Sequence, residues 1–418
     1  MSHQGDETYL PAFAPGKSPH ESPYISYGTP YPKACAHHVA STFHARRVYI
    51  LASGALSRNT SDLPTLVSAL ESEIGDGAVV GIRKGVKPHS HYSDILEIVH
   101  EAKTANADIL VTLGGGSLTD AAKVIALALA NDATTLDDLE TLYFDSPSLR
   151  HPLLPATIPI ICIPTSLSAG EYTPLAGATN DATKHKHSFQ HLSIGPRLVI
   201  LSPELSTTTP LPIWLSTGVR AIDHCVEAIC STASTAEGDA TAAKGLRQLV
   251  PGLLATKTAP RDLAPRMRCL LGARDAIGCG LLRVPMGASH GIGHQLGPLG
   301  VGHGDTSCVL LPAVMRFNRP VNAAKQDAVL RVLWGEAAVA AVLARRGLDR
   351  ESADLGAVLD AVVRELGLPR SLKEVGVGRE ELPALAEGSL RDRYCRSNPV
   401  PLRERGQVME ILEMVVGD

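Results

Sequence analysis

One change of pattern along the chain limits its possible folds more than any other feature. From residue 46 to residue 203, short apolar runs that suit buried strands alternate with segments of helical period. From about residue 208 onward, every apolar pattern is helical and no convincing strand occurs. Strands that alternate with helices predict a doubly wound parallel sheet. We therefore expect an α/β domain with a Rossmann-like parallel sheet, followed by an all-helical domain.

Composition places the domain boundaries. Residues 1–42 are rich in Pro, His, Ser and Tyr and show no periodicity, which predicts a leader that is extended or partly disordered. We predict the α/β domain over residues 43–207 and the helical domain over residues 208–418. The join falls in LSPELSTTTPLP, where Ser, Thr and Pro cluster.

Charge and hydropathy exclude several classes of protein. The formal net charge is −4 and only 4% of residues are aromatic, which argues against a nucleic-acid-binding protein. No apolar run approaches the ~18 residues that a membrane span needs, and the polar N-terminus does not resemble a signal peptide. The eight cysteines include no C-x-x-C pair. We expect a cytoplasmic protein that acts on a small molecule.

A glycine run follows the third predicted strand. In LGGGSLTDAAK, Gly114, Gly115 and Gly116 precede a helix that begins near Ser117, with Asp120 three residues further on. Glycines let a backbone approach a bulky anion, and a helix N-terminus offers free N–H groups to it. A tight strand-to-helix turn with a Ser cap would give the same pattern, so the run alone leaves both interpretations open.

A second polar turn supports the nucleotide interpretation. IPTSLSAGEYTP begins at the end of another predicted strand and carries Thr165 and Ser166. Ligands of open α/β sheets bind at the carboxyl ends of the strands. An ordinary Ser/Thr turn is the alternative. The two turns together favour a nucleotide site at this edge of the sheet.

Histidines cluster in the helical half of the chain. GASHGIGHQLGPLGVGHG contains His290 and His294, one helical turn apart, and His303 in a Gly-rich loop. With His224 from an earlier helix, four imidazoles could converge, and neutral imidazoles suit Zn²⁺ or Fe²⁺. Three histidines within fourteen positions indicate a functional site.

The helix GVRAIDHCVEAICS places Arg220 one turn before His224. Its apolar stripe leaves Arg220, Asp223, His224 and Glu227 on the other side. Such a set is also what a solvated helix face carries, and periodicity cannot distinguish a face toward water from a face toward a polar site.

Three motifs in this order, GGGSLTDAAK, GVRAIDHCVE and SHGIGHQLG followed by GHG, resemble the iron-containing alcohol dehydrogenase family, closest to its maleylacetate reductase branch and the fungal-type relatives of that branch. The resemblance covers the chain after about residue 40. It implies a dehydroquinate synthase-like architecture, an NAD(P)H cofactor and a homodimer. The cofactor residues that it implies are Gly114, Gly115, Gly116, Ser117, Thr165, Ser166 and Lys186.

The sequence departs from this family at the metal site. The family holds its metal with an Asp and three His, and the resemblance matches the histidines to His224, His290 and His303. His294 matches a histidine near the reacting centre that is not a ligand. Arg220 stands where the Asp is expected. A +1 charge ~4 Å from a divalent ion costs about 8 kcal/mol at an effective dielectric of 20. Either Arg220 turns away from a metal held by His224, His290 and His303, or the site has no metal; we expect the second, with no Fe or Zn.

A second departure concerns the cofactor. The acidic residue that holds the ribose hydroxyls in this family is replaced by Ser53. This change makes NADPH as acceptable as NADH, with Lys84 or Arg83 as cations that could meet its 2′-phosphate.

The predicted function is NAD(P)H-dependent reduction of a carbonyl or conjugated alkene in a small, acidic substrate. Arg220 takes the electrostatic role of the metal, and His294 or His290 supplies the proton. The alternative is a non-redox lyase, dehydratase or cyclase on the same scaffold, in which NAD(P) is only a structural ligand.

Overall fold

The computed structural model describes residues 6–14, 22–282 and 284–417. The chain divides into two compact units, Met1–Thr208 and Thr209–Asp418. The division lies one residue from the join that composition predicts. None of the helices in the described ranges combines the length and apolar character needed to cross a membrane.

The first unit contains all nine strands of the described chain. They are β1 Thr8–Pro11, β2 Tyr24–Tyr27, β3 Val48–Ala52, β4 Val79–Lys84, β5 Ile109–Gly114, β6 Ile160–Pro164, β7 Leu175–Thr179, β8 Lys186–Gln190 and β9 Leu198–Ile200. Seven form one sheet in the order β1-β2-β9-β6-β5-β3-β4, in which only the β1–β2 pair is antiparallel. β7 and β8 form a separate antiparallel hairpin.

Helices cover both faces of the main sheet. They are α1 Tyr31–His37, α2 Gly54–Asn59, α3 Asp62–Ile74, α4 Tyr92–Thr104, α5 Gly116–Ala130, α6 Leu136–Glu140 and α7 Pro203–Ser206. Alternate residues of β3 enter different cores: Tyr49 and Leu51 pack with α4 and α5, whereas Ile50 packs with α1 and α3. This double burial explains why β3 appears in the sequence as a continuous apolar run.

The prediction of a separate leader over residues 1–42 is wrong for the part that the structure describes. β1 pairs with β2, and β2 continues the parallel sheet by pairing with β9. α1 buries Ala34 and Cys35 against the sheet. The two strands have four residues each, too few to show a period, and their pairing partners are distant in sequence. Residues 1–5 and 15–21 lie outside the described ranges.

The second unit is entirely helical in its described residues. Its helices are α8 Leu211–Cys230, α9 Ala236–Thr258, α10 Leu263–Leu281, α11 Ala288–Leu296, α12 His303–Gly335, α13 Ala337–Arg345, α14 Leu355–Leu366, α15 Leu382–Ser389, α16 Arg393–Ser397 and α17 Arg405–Glu413. α12 consists of two helical segments that meet at a kink at Asn322. The predicted fold class, a parallel α/β domain plus a helical domain, is confirmed.

Candidate active site

In the first unit, the glycine run forms the turn from β5 into α5. Gly114 has a φ of +147°, and a Cβ at this position would lie 2.9 Å from the Cβ of Ser53. Gly115 precedes α5 and makes no side-chain cap, and Ser117 lies inside the first turn. The Ser-capped turn that sequence left open is therefore not what forms here. The first N–H groups of this 15-residue helix are not capped by a side chain, as anion binding requires.

Parallel pairing brings the second polar turn beside the glycines. Gly114 lies opposite Pro164, so Thr165 and Ser166 follow at the same sheet edge. The N–H of Thr165 donates to the carbonyl oxygen of Gly114 at 3.1 Å. A Cβ at Gly115 would lie 3.7 Å from Ser166 Oγ. The two turns predicted to share a site are thus neighbours.

The β7–β8 hairpin adds the remaining predicted cofactor residues. Asp120 on α5 accepts a hydrogen bond from the N–H of Gly177 at 3.2 Å. Lys186 on β8 lies over Gly177, where any Cβ would clash with its side chain. Lys123, fully buried on α5, donates to the carbonyls of Gly170 and Leu175. These bonds hold the polar turn and the hairpin against the helix that follows the glycines.

Ser53 lies between the end of β3 and the start of α2. Its N–H donates to Leu113 at 2.9 Å, which joins the turn after β3 to the turn after β5. Arg58 on α2 folds back, with Nη1 3.1 Å from the position of a Cβ on Gly54. Nη2 of Arg83 forms ion pairs with Asp94 at 3.3 Å and with Glu97 at 2.7 Å. Arg58 and Lys84 pair with no carboxylate among the described residues.

In the second unit, the polar side of α8 is buried. Arg220, Asp223, His224 and Glu227 are all less than a tenth exposed, so the interpretation of this side as a solvated face is wrong. Periodicity could not distinguish a solvated face from a buried polar face, because the side chains that contact this side of α8 are also polar. Arg220 is 2% exposed and therefore points into the protein.

Arg220 belongs to a buried hydrogen-bond network. Its Nη1 donates to Ser307 Oγ at 3.1 Å, and Ser307 donates to Asp223 Oδ2 at 2.5 Å. Ser289 donates to the same carboxylate oxygen at 2.7 Å. Burial and the nearby Glu227 carboxyl raise the pKa of Asp223, although the Arg220 charge acts in the opposite direction. Burial also lowers the pKa of Arg220.

Glu227 fixes the start of α11. Its carboxylate accepts the N–H groups of Gly287 and Ser289 at 2.7 and 2.8 Å, and the Nδ1 of His290 at 2.8 Å. Asp223, Glu227 and His290 are the one group of potential metal ligands that the described residues bring within 4.8 Å. The carboxylate oxygens of Glu227 already accept hydrogen bonds from N–H donors. The role of Glu227 in this structure is therefore to hold the first turn of α11 in place.

Two imidazoles lie against each other beside this network. The rings of His224 and His290 stack with centroids 4.7 Å apart. Nδ1 of His224 and Nε2 of His290 are buried and have no hydrogen-bond partner in the described structure. Burial lowers both pKa values well below the ordinary range, and the Arg220 charge contributes to both shifts. Both rings are therefore neutral at physiological pH.

The other two predicted histidines differ from this pair. His294 is partly exposed, and its Nδ1 bonds Asp392 Oδ2 at 2.8 Å. Tyr394 lies between the two histidines of α11, 6.2 Å from His290 and 5.7 Å from His294. His303 is exposed and begins α12 rather than lying in a loop. His224 and His290 are therefore in ring contact, and Tyr394 links His290 to His294.

Asp392 and Tyr394 were missed by the sequence analysis. They belong to RDRYCRSNP, which has no period and no metal-ligand spacing, and only the packing of α16 on α11 brings them to His294. Ser289 and Ser307 were also missed, because their hydrogen bonds to Asp223 join segments that are distant in sequence.

Sequence comparison identifies the family. The profile described as "Iron-containing alcohol dehydrogenase" matches residues 31–203, and the profile of the C-terminal domain of the Fe-containing alcohol dehydrogenase family matches residues 214–416. The chain therefore belongs to the iron-containing alcohol dehydrogenase family and is an oxidoreductase. Members of this family act on small molecules and typically use NAD(P)H and iron.

Individual relatives agree with this assignment. The chain is 38% identical to dehydrogenase FUM7 of Gibberella moniliformis, with 96% of this chain and 98% of the relative covered. It is also 38% identical to dehydrogenase ALT3 of Alternaria alternata, with 88% and 99% covered.

Solved structures share the fold. Maleylacetate reductase of Agrobacterium tumefaciens has a TM-score of 0.71 at 24% identity, with 92% of this chain and 93% of that chain covered. A 1,3-propanediol oxidoreductase has a TM-score of 0.78 at 24% identity, with 93% and 96% covered. The predicted family resemblance is thus confirmed.

Proposed function

We propose that this enzyme uses NAD(P)H to reduce the carbonyl group or conjugated double bond of a small acidic substrate, without the metal of its family. The observation that carries the proposal is the buried guanidinium of Arg220 at the position of the family's aspartate ligand. The name of the maleylacetate reductases, which share the fold, is compatible with an acidic oxo substrate.

The residues present fit a divalent ion poorly. An ion held by His224 and His290 would lie near a cation that already acts on both rings. His303, the third expected ligand, is exposed. The carboxylates of the grouping around Glu227 would have to give up the N–H groups that start α11. Each of these three features opposes the binding of a divalent ion.

Charge balance explains what the arginine can replace. A carboxylate ligand together with a divalent ion carries a net charge of +1, and so does a guanidinium. Because Arg220 lowers the pKa of both stacked imidazoles, its field reaches the place where they lie. We propose that this field stabilises the negative charge that develops on the substrate oxygen during hydride transfer. With 2% of its surface exposed, Arg220 acts by its field rather than by direct contact.

The proton comes from His294 in this proposal. Hydride adds to the carbonyl carbon, or to the β carbon of the conjugated alkene, and the resulting oxyanion or enolate takes up one proton. His224 and His290 are neutral and have pKa values well below the ordinary range, which makes them poor proton donors. His294 is accessible, and the Asp392 carboxylate bonds its Nδ1, which leaves Nε2 to exchange a proton with the substrate.

We further propose that NADPH is the preferred cofactor. Ser53 brings no negative charge to the end of β3, and Arg58 and Lys84 lie near that end. These cations favour a 2′-phosphate. The glycine turn, Thr165, Ser166, Asp120 and Lys186 would hold the rest of the nucleotide. A homodimer and a cytoplasmic location remain predictions.

The test combines metal analysis with turnover. Purified protein is assayed for loss of absorbance at 340 nm with NADPH, NADH and acidic oxo or enone substrates, and its Fe and Zn contents are measured. We expect reduction at a rate unrelated to metal content. Product formation without NAD(P)H consumption would instead support a lyase, dehydratase or cyclase.

Arg220→Asp provides the reciprocal variant. We expect it to gain Fe or Zn and to lose activity on the natural substrate. A metal-loaded Arg220→Asp enzyme with better turnover than the parent would show that the arginine does not replace the ion.

A further inference from the structure

His294 and Asp392 form a dyad whose two carboxylate oxygens have different partners. Oδ2 of Asp392 lies 2.8 Å from Nδ1 of His294. Oδ1 accepts the N–H of Tyr394 at 2.8 Å and thereby caps α16. Asp392 is 13% exposed at its side chain, whereas His294 is 43% exposed. One residue thus joins a helix start to an accessible imidazole.

Close helix packing holds the dyad together. Gly291 lies on α11, three residues before His294, and it faces α16. A Cβ at Gly291 would lie 2.9 Å from the N of Cys395 and 3.2 Å from Asp392 Oδ1. Only a glycine permits this approach without displacement of α16. The hydrogen bond to His294 is therefore built into the contact between the two helices.

The carboxylate determines which ring nitrogen carries a proton. An ionised Asp only accepts hydrogen bonds, so Nδ1 of His294 must be the donor. Nε2, on the opposite edge of the ring, is then the nitrogen that exchanges a proton with a ligand, and no described residue bonds it.

The other groups around His294 do not supply this function. Tyr394 approaches with its ring, and the guanidinium of Arg393 covers that ring 4.8 Å from its centroid. His290 has its own carboxylate partner in Glu227, and Arg220 donates to Ser307. From α12, the neighbour of this part of α11 is Thr306, which carries no charge. Asp392 is the carboxylate that bonds the ring.

We propose that Asp392 is a positioning residue for proton delivery: it holds the ring of His294 with Nδ1 as the hydrogen-bond donor, so that Nε2 is the atom that passes the proton to the substrate. This inference rests on the proposed reductase function for its catalytic consequence. The tautomer itself is independent of that function.

Asp392→Asn is the informative variant. The N–H of Tyr394 needs an acceptor, so the amide oxygen takes the place of Oδ1 and the NH₂ group faces His294. Nδ1 must then accept a hydrogen bond, and the proton moves to Nε2. Asp392→Ser keeps the helix cap but is too short to reach the ring, so it isolates the capping role. Asp262→Asn, at the start of α10, is the matched control, since Asp262 caps its helix through Ala264 at 3.1 Å without bonding a histidine.

Two measurements read the result. ¹⁵N NMR of histidine-labelled protein reports which ring nitrogen is protonated, with His294→Gln identifying the resonance. Steady-state kinetics of NADPH oxidation across pH report proton delivery. We expect Nδ1–H in the parent and Nε2–H in Asp392→Asn. We expect kcat to fall about 10- to 100-fold in Asp392→Asn and Asp392→Ser at every pH, with little change in KM.

The outcomes separate this inference from the proposed function. An unchanged tautomer in Asp392→Asn, or a loss of melting temperature in both Asp392 variants without a fall in kcat, would overturn the positioning role. If the parent enzyme oxidises no NAD(P)H with any carbonyl substrate, the proposed function fails, and the NMR result alone decides whether Asp392 positions His294.

Discussion

Arg220 and Asp223 lie one helical turn apart on α8 and face the same serine. Their charged atoms are 3.9 Å apart, and Ser307 accepts from the arginine and donates to the aspartate. Burial raises the pKa of Asp223, which opposes ionisation of this carboxyl. The proposed mechanism needs the positive charge of Arg220 to act at the stacked imidazoles with the carboxyl groups of Asp223 and Glu227 nearby.

Substitution of Arg220 tests that field. We expect Arg220→Met, which keeps much of the volume and removes the charge, to lower kcat by about 10²- to 10³-fold. Arg220→Lys retains the charge with fewer donors and is expected to lose less activity. Kinetics of both variants, with circular dichroism to confirm folding, provide the measurement. Equal losses in the two variants would argue against an electrostatic role.

The glycine run offers a matched pair of substitutions. Gly114→Ala forces a side chain into a positive φ and against Ser53, so we expect it to destabilise the first unit by about 2 to 5 kcal/mol. Gly116→Ala meets only Ser168 at 3.9 Å and is expected to fold normally. Thermal unfolding checks stability, and fluorescence titration checks NADPH binding. Weaker binding by a stable Gly116→Ala would support the nucleotide site, and unchanged binding would count against it.

Cofactor preference should respond to Ser53 and Arg58. A carboxylate at Ser53 repels a 2′-phosphate, so Ser53→Asp is expected to raise the KM for NADPH by at least about tenfold, or ~1.4 kcal/mol. Arg58→Ala is expected to raise the KM for NADPH without affecting NADH. Arg83→Ala is the control, since Arg83 is engaged by Asp94 and Glu97. Equal effects on both cofactors would contradict the proposed phosphate contact.

Stability should depend on pH through Glu171. Burial raises the pKa of this carboxyl from 4.5 to about 7, against the attraction of Lys123. A raised pKa means that the folded state holds the proton more tightly. The resulting stabilisation is complete below pH 4.5 and is lost as the pH rises through about 7. Glu171→Gln removes this dependence.

The expected difference between Glu171→Gln and the parent grows by about 3 kcal/mol at most over this range. Melting temperatures of both proteins on either side of the range measure it. Parallel pH profiles would show that Glu171 ionises normally in the folded protein.

Much of the first unit could be predicted from its sequence because its central strands are buried on both faces. β3, β5 and β6 are continuous apolar runs, and the glycine run at the end of β5 marks the turn into α5. β1, β2 and the β7–β8 hairpin could not be predicted in this way. They are short and partly exposed. β2 pairs with the distant β9, whereas β7 and β8 pair with each other.

The candidate active site was predicted only where residues are close in sequence. His290 and His294 share a helix, and Arg220 and His224 share another, so helical spacing revealed both pairs. Asp392 lies 98 residues beyond its partner His294. No local period records such a contact, because it depends on how α16 packs on α11.

The arginine buried in α8 also changes what the enzyme would depend on in its surroundings. A guanidinium is synthesised with the chain, so it cannot be extracted by chelators, oxidised by peroxide or exchanged for the wrong ion. An oxidoreductase built in this way would keep its full activity through iron starvation and oxidative stress, conditions that inactivate enzymes holding ferrous ions.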